Sequence, residues 1–171
     1  MNLKQTESKA SKITKKKLAL RTQLWGDIDP KRIWNRKKSD GFTTIPRTMP
    51  IIFQIINYLA VKSKPVSDTY FCLWCRVFDE SFIEIKSQEQ MAFESGFSGQ
   101  RAVSTWKSRM KNLADLGFID VKEGPYGDYS YVLLLNPYTV IKKYHEENKL
   151  QDSKYIALYA RAQEIGADDL N

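Results

Sequence analysis

Hydrophobic residues between positions 98 and 116 recur at the three- and four-residue spacing of an amphipathic helix. Four of them fall on one face: Val103, Trp106, Met110 and Leu113. Short hydroxyl and long basic or amide side chains occupy the opposite face: Arg101, Ser104, Thr105, Ser108, Lys111 and Asn112. The pattern predicts a helix over Ser98–Leu116, with Ser98 as its N-cap, one buried face and one polar, cationic face.

The segments on either side of this helix have equally regular patterns. A short helix over Ser87–Ser95 is predicted before it, because its first residue is followed three positions later by Gln90, as in a capping box. Alternating apolar and polar residues predict two strands, Phe118–Lys122 and Tyr129–Leu135. A Gly- and Pro-containing turn at 123–128 joins these strands as a hairpin.

Four further helices and one further strand complete the predicted fold. The helices are Ile51–Ala60 after Pro50, Thr69–Phe78, Tyr138–Asn148 after Asn136-Pro137, and Lys154–Ile165 after the cap Ser153. The strand is Phe82–Lys86, where apolar and polar residues alternate. The predicted fold class is therefore mainly α with a small β-hairpin (α+β).

Changes in composition divide the chain into four segments. Residues 1–22 are rich in Lys, Ser and Thr and have few large apolar side chains, so we predict a flexible basic arm. Residues 23–47 mix aromatic and basic residues and are predicted to form an irregular strap packed on the domain. The domain covers 48–150, with its core at 68–135, and a C-terminal helix and tail cover 151–171.

The tryptophans of the strap have two interpretations. Trp25 and Trp34 lie among many other apolar residues, which favours their packing onto the domain. The alternative is that both are stacking platforms for unpaired bases. In either case the neighbouring cluster Arg36-Lys37-Lys38 is expected to point outward.

The formal net charge of +7 is concentrated near the N-terminus. Residues 1–47 hold thirteen Lys or Arg and four Asp or Glu (+9), and the rest of the chain holds fourteen and sixteen (−2). A basic arm beside a candidate reading helix favours contact with phosphates, and a solubilising tail is the alternative. No apolar run approaches about 20 residues, so no membrane span is predicted. Two cysteines provide no disulfide framework, which favours the cytoplasm.

Residue patterns for catalysis, or for binding a metal or a cofactor, are missing from the sequence. Cys72 and Cys75 form a CxxC pair, but a zinc site needs about four ligands and His145 is far along the chain. Their place in an apolar helix predicts buried, unreactive thiols. No GxxxxGK[ST] or GxGxxG motif occurs. We therefore predict that the protein is not an enzyme and binds no metal and no cofactor.

The predicted order of elements from Asp68 to Leu135 resembles the winged helix-turn-helix superfamily of DNA-binding proteins. Ala92, Gly96 and Phe97 match the turn between the two helices, and the string LADLGFI at Leu113–Ile119 matches the passage from the second helix into the wing. In these features the chain is also similar to bacterial proteins of plasmids and other mobile elements.

The resemblance implies binding of double-stranded DNA, with the helix Ser98–Leu116 in the major groove and the turn Gly124–Asp128, the wing, on the backbone or in the minor groove. It implies a transcriptional regulator, or a replication or partition factor of a plasmid, phage or other mobile element. A winged-helix adaptor that docks proteins is the alternative. A homodimer is plausible by analogy with other helix-turn-helix readers, and the apolar stripe at 154–165 packs either on a second copy or on its own domain. The candidate DNA-binding residues are Gln100, Arg101, Ser104, Thr105, Lys107, Ser108, Lys111, Lys122, Tyr126, Arg36, Lys37 and Lys38.

The wing departs from the superfamily pattern. Its tip carries Tyr126 and Asp128 but neither Lys nor Arg. Because an acid beside phosphates is unfavourable, we expect the wing to contribute little. Base contacts are expected from Arg101 and from Ser104 or Thr105, near the start of the helix.

Overall fold

The structure, a computed structural model, describes residues 3–170. The chain divides after Phe42 into two compact units. The first unit consists of helix α1 (Leu3–Trp25) and an irregular segment with two single-turn 3-10 helices, Pro30–Arg32 and Arg36–Lys38.

Helix α1 takes the place of the flexible arm predicted for residues 1–22. That prediction was drawn from the small number of large apolar residues, which limits packing but not helix formation. Lys and Leu, the commonest residues of this helix, are both strong helix formers. Its described side chains, from Thr14 onward, are all exposed, so local propensity rather than burial accounts for the helix. Residues 1 and 2 lie outside the described part of the chain.

In its described residues the second unit contains six helices and a three-stranded sheet. The helices are α2 (Met49–Leu59), α3 (Ser67–Trp74), α4 (Gln88–Glu94), α5 (Ala102–Asp115), α6 (Pro137–Glu146) and α7 (Asp152–Ile165). All six were predicted, with differences at their ends, and the α+β fold class is confirmed. Pro50 lies in the first turn of α2, and the Asn136 side chain caps α6 by accepting from the backbone N of Tyr138 at 2.9 Å.

The sheet is antiparallel, with the strand order β1-β3-β2. The strands are β1 (Phe82–Glu84), β2 (Ile119–Gly124) and β3 (Gly127–Leu134). Val132 in the central strand lies opposite Ile83 on one side and Val121 on the other. Because Val132 and Ile83 are buried, this face of the sheet belongs to the core.

The β2–β3 hairpin is tighter than the six-residue turn that was predicted. The strands continue to Gly124 and Gly127, which pair with each other, and only Pro125 and Tyr126 lie between them. The Tyr131 ring occupies the space beside residue 124, where a Cβ atom would lie 2.5 Å from its Cε2. Glycine is therefore required here by the close approach of the opposite strand.

A hydrophobic core joins the helices and the sheet of the second unit. Its largest fully buried side chains are Trp106, Tyr70, Phe118, Met49, Ile52, Ile55, Ile56, Leu73, Ile85, Met91, Met110 and Leu113. Tyr70 from α3 meets Phe118 edge to face with ring centroids 5.9 Å apart, and Trp106 from α5 meets Tyr129 from β3 in the same way at 5.6 Å. Burial raises the pKa of Tyr70 to about 12.

The buried face predicted for α5 is confirmed for three of its four residues, Trp106, Met110 and Leu113, which are fully buried. The fourth, Val103, is half-buried.

Helix α5 begins at Ala102, four residues later than the predicted start at Ser98. Gly99 has a φ of +77°, in the left-handed region that cannot form part of an α-helix. The residues before Ala102 therefore form a turn. Arg101 precedes the helix directly and makes no side-chain capping bond.

Helix α7 packs against α2 and α6. Its predicted apolar stripe faces inward, because Leu158 and Ala162 are fully buried. Of the two possibilities that the sequence left open, the structure has the stripe packed on its own domain. The N-cap is Gln151 rather than the predicted Ser153, and the helix ends at Ile165 as predicted, with Gly166 as its C-cap.

Replacing Gly124 with Ala is expected to destabilise the hairpin. The added Cβ would lie 2.5 Å from Cε2 of Tyr131 and 2.8 Å from Cβ of Ser130, so the two strands must separate. We expect a loss of about 1–3 kcal/mol in the free energy of unfolding, measured by urea denaturation. The matched control is Glu123→Ala at the exposed neighbouring position, which should change stability by less than about 0.5 kcal/mol. Equal stability of the two variants would contradict the close approach.

Candidate nucleic-acid interface

The outward face of α5 is polar, in agreement with the predicted helix pattern. Ser104 and Lys111 are exposed on it, and Gln100 and Arg101 are exposed in the turn before the helix. The Ser104 hydroxyl donates to the Arg101 carbonyl oxygen at 2.9 Å, which joins the turn to the helix. Within the described part of the chain, the Arg101 guanidinium has no ion-pair partner. This cation is therefore available to an anionic ligand.

The other residues assigned to this face are less exposed than predicted. Thr105, Lys107 and Ser108 are half-buried. Asn112 is buried with 6% of its surface exposed, so its assignment to the polar face is wrong. With 3.6 residues per turn, residue 112 is rotated about 100° from Lys111, which puts it at the border of the two faces.

Acidic side chains oppose the cations of α5. The Lys111 Nζ lies 2.6 Å from Oδ2 of Asp115, and this hydrogen bond raises the pKa of Lys111. The Lys107 Nζ lies 3.8 Å from Oδ2 of Asp128 on the wing. Both pairs are largely exposed, so each contributes little to stability, but each lowers the local positive charge.

Sequence reasoning missed both of these ion pairs, for different reasons. Asp115 follows Lys111 by four residues, a spacing at which helical side chains are neighbours, so this pair was visible in the sequence. Asp128 is distant from Lys107 along the chain and becomes its neighbour because the wing packs on α5. That packing includes Tyr129, whose hydroxyl donates to the Lys107 carbonyl oxygen at 3.3 Å.

The charge of the combined α5 and wing surface is close to zero. The Lys122 Nζ lies 3.9 Å from Oδ1 of Asp120 on the same strand. Three of these pairs occur here, and in number the four acids Asp115, Asp120, Glu123 and Asp128 match the four cations Arg101, Lys107, Lys111 and Lys122. A fifth cation, Arg109, is half-buried with its guanidinium 5.7 Å from the Phe97 ring centroid. The positive charge predicted for the outward face of α5 is therefore largely offset by neighbouring acids.

The wing turn is fastened to the domain by three hydrogen bonds. Gln88 at the start of α4 donates from Nε2 to the Tyr126 carbonyl oxygen at 2.8 Å. The Ser130 hydroxyl accepts from the Tyr126 backbone N at 2.9 Å and donates to the Gly127 carbonyl oxygen at 2.7 Å. Gln88 and Ser130 are both buried, so these bonds hold the turn while the Tyr126 side chain remains exposed.

Helix α4, the first of the helix pair, is held at both ends. The Arg76 guanidinium, just beyond α3, reaches both carboxylate oxygens of Glu94 at 2.6 and 2.7 Å. These hydrogen bonds lower the pKa of Glu94. At the other end the Ser87 hydroxyl accepts from the backbone N of Gln90 at 3.1 Å, as the predicted cap requires. The turn that leads into α5 therefore starts from a fixed helix.

The remaining candidate residues, Arg36, Lys37 and Lys38, lie in the first unit and are exposed. They form the second 3-10 turn, which begins where the Asn35 side chain accepts from the backbone N of Lys37 at 2.9 Å. The Arg36 guanidinium lies 5.3 Å from the centroid of the Phe42 ring. These cations form no ion pair with any residue that the structure describes.

The tryptophans of the first unit are not packed. Trp25 and Trp34 are 66% and 70% exposed, so the prediction that they are packed is wrong. The segment after α1 contains only single-turn helices, neither of which has a buried residue. Trp34 contacts Phe42 edge to face, with ring centroids 6.1 Å apart, and is oriented rather than covered by it.

The two cysteines differ from the prediction of two buried thiols. Cys72 is buried, and its thiol donates to the Glu94 carbonyl oxygen at 3.1 Å. Cys75 is exposed, because α3 ends one residue before it. Burial raises the pKa of both thiols, whereas a reactive redox cysteine has a lowered pKa.

No helix within residues 3–170 has both the length and the apolar character needed to cross a membrane. Among the described side chains, which begin at Thr14, no group of three or more His, Cys, Asp or Glu is arranged to hold a metal ion.

Comparison of the chain with protein-family models, with curated proteins and with solved structures gave no match.

The ion pair that holds α4 is expected to make stability depend on pH. Because the folded-state pKa of Glu94 lies below its ordinary value of 4.5, the pair stabilises the fold above about pH 4.5 and loses this effect as the pH falls further. We expect Arg76→Gln to cost about 0.2–1 kcal/mol at pH 7 and less at pH 3. Urea denaturation at both pH values measures this. Lys86→Gln, which breaks the longer and more exposed pair with Glu84, is the control. A cost of Arg76→Gln that does not change with pH would contradict a stabilising ion pair between Arg76 and Glu94.

Proposed function

We propose that the part of the second unit from α3 to β3 is a winged helix-turn-helix that binds double-stranded DNA with the polar face of α5. Two features support the proposal: the order of the elements, and a hairpin that packs beside the second helix of the pair. The observation that carries it is the exposed polar face of α5, which begins at the unpaired Arg101.

The dimensions of α5 suit the major groove. Its 14 residues span about 21 Å, and the groove, about 12 Å wide, admits one α-helix. Ser104 and Ser108 are short, so the helix backbone can approach the base edges closely. Arg101 reaches either a phosphate or the O6 and N7 atoms of guanine from the start of the helix.

Balanced charge limits the affinity that this surface provides alone. With Lys107 and Lys111 beside acids, we expect non-specific binding no tighter than about 10⁻⁴ to 10⁻⁶ M. The first unit supplies additional attraction, because residues 14–42 hold nine Lys or Arg and three Asp. A homodimer on two half-sites would raise the affinity further.

The proposed biological role is a transcriptional regulator, or a replication or partition factor of a mobile element. Each of these roles requires recognition of a particular duplex. Selection from a random duplex library with the full chain is the direct test, and recovery of a defined sequence motif is the expected result. Recovery of random sequences would contradict groove reading by α5.

A protein-docking adaptor is the second candidate function, and one observation favours it. Phe93 on α4, the first helix of the pair, is 76% exposed. A partner that covers Phe93 would use the first helix of the pair rather than α5. A duplex-binding assay with Phe93→Ala distinguishes the two functions. If α5 is the helix that reads DNA, this variant should bind duplex DNA with unchanged affinity.

Removal of two cations near the start of α5 is expected to weaken duplex binding. Arg101→Ala/Lys107→Ala should lower the affinity about ten-fold or more at low salt. The salt slope, which is the steepness with which the logarithm of the affinity falls with the logarithm of the salt concentration, should decrease by about 0.9 for each phosphate that the protein no longer neutralises. Fluorescence anisotropy across a salt series measures both quantities. The matched control is Lys142→Ala/Lys143→Ala on α6, which contacts the opposite end of α5 through Tyr144. Equal effects of the two double variants would refute the interface.

Removal of the wing acid is expected to strengthen duplex binding. Asp128→Asn removes a negative charge close to the proposed phosphates and releases Lys107, so we expect a gain of about two- to ten-fold in affinity. In a Lys107→Ala background the gain should be smaller, because the two side chains are coupled. The same anisotropy assay measures this cycle. Unchanged affinity for Asp128→Asn would place the wing away from the DNA, and a loss would contradict the repulsion between Asp128 and the phosphates.

A further inference from the structure

The first unit combines exposed cations with exposed aromatic rings. Residues 14–42 hold nine Lys or Arg and three Asp, a net charge of +6. In this range the structure shows no ion pair, so these charges are not compensated within their own unit. A surface of this kind is complementary to a polyanion.

The backbone of the first unit presents these groups in an ordered way. The Asp29 carboxylate accepts from the backbone N of Lys31 at 3.0 Å and begins the turn Pro30–Arg32, and Asn35 begins the next turn in the same manner. Trp34 lies between the two cationic turns, and Phe42 fixes its orientation from one side. Because Trp34 remains 70% exposed, most of its surface is open to a ligand.

We infer that the first unit binds single-stranded nucleic acid, independently of duplex binding by α5. The indoles of Trp34 and Trp25 stack on unpaired bases. Cations of the two turns, among them Arg36, Lys37 and Lys38, contact the backbone phosphates. Alternation of aromatic platforms with cations is the arrangement by which proteins bind unpaired strands without sequence preference.

Duplex DNA does not explain the exposed indoles, because its base faces are stacked on one another and closed to a side chain. A membrane surface does not fit α1 either. Leu18 and Trp25 lie on one side of this helix, but Leu20 lies about 200° away with Leu24. A helix that binds a membrane surface has its apolar residues on one face only.

The experiment measures binding of the full chain to a fluorescent oligothymidine of about 20 nucleotides. We expect Trp25→Ala/Trp34→Ala to weaken this binding about ten-fold or more without changing its salt slope, because no charge is removed. Arg36→Ala/Lys37→Ala/Lys38→Ala should instead lower the salt slope by about two, at about 0.7 for each phosphate contact. Trp34→Phe retains a ring and should lose less affinity than Trp34→Ala.

The matched control is Phe93→Ala, which removes an equally exposed aromatic ring from the second unit. It should bind the oligothymidine like the wild type, as should Arg101→Ala, so failure of the duplex proposal remains distinguishable from failure of this one. Wild-type affinity of Trp25→Ala/Trp34→Ala for the oligothymidine overturns the inference. Two other results for Trp25→Ala/Trp34→Ala would also overturn the inference. Loss of binding to phosphatidylserine vesicles alone would assign the indoles to a membrane. A change in oligomeric state alone would assign them to contact with a second copy of the chain.

Discussion

The burial of one side of α5 is the constraint from which the candidate interface follows. Trp106, Met110 and Leu113 are fully buried, and withdrawing side chains of this size from water contributes about 1.5–3 kcal/mol each. Rotation of α5 about its axis would expose all three. The direction in which Ser104 and Lys111 point is therefore set by the core behind them, at a free energy larger than any surface contact provides.

Shape and charge are supplied by different parts of the chain. The second unit presents a rigid helix beside a hairpin, but Asp115 and Asp128 offset the cations of α5. The first unit has uncompensated positive charge and only single-turn helices after α1. A neutral recognition surface favours discrimination, because electrostatic attraction acts on every sequence alike, whereas a basic segment raises affinity for all nucleic acids.

The periodicity of apolar residues in the sequence predicted the elements of the second unit and the buried face of α5. It could do so because burial of one face imposes a regular spacing of apolar residues, which a single sequence shows. Periodicity failed where the conformation of a single residue determines the path of the backbone. Gly99, with its positive φ, is such a residue, and α5 begins after it rather than at Ser98. It failed again at Asn112, on the border of two faces, and at Asp128, which meets Lys107 only in three dimensions. Periodicity did not predict the exposure of Trp34 either, because composition does not show whether other residues pack against an aromatic ring. Winged-helix architecture and DNA binding stay predictions.

The hydrogen bonds from Gln88 and Ser130 to the hairpin turn have a thermodynamic consequence. A loop already fixed in the free protein has little conformational entropy left to lose when a ligand touches it. Calorimetry of an association through this surface would then show the modest heat-capacity change of rigid docking, without the large change that accompanies folding of a loose segment. The buried amide of Gln88 would thus lower the entropic cost of any binding through the hairpin turn.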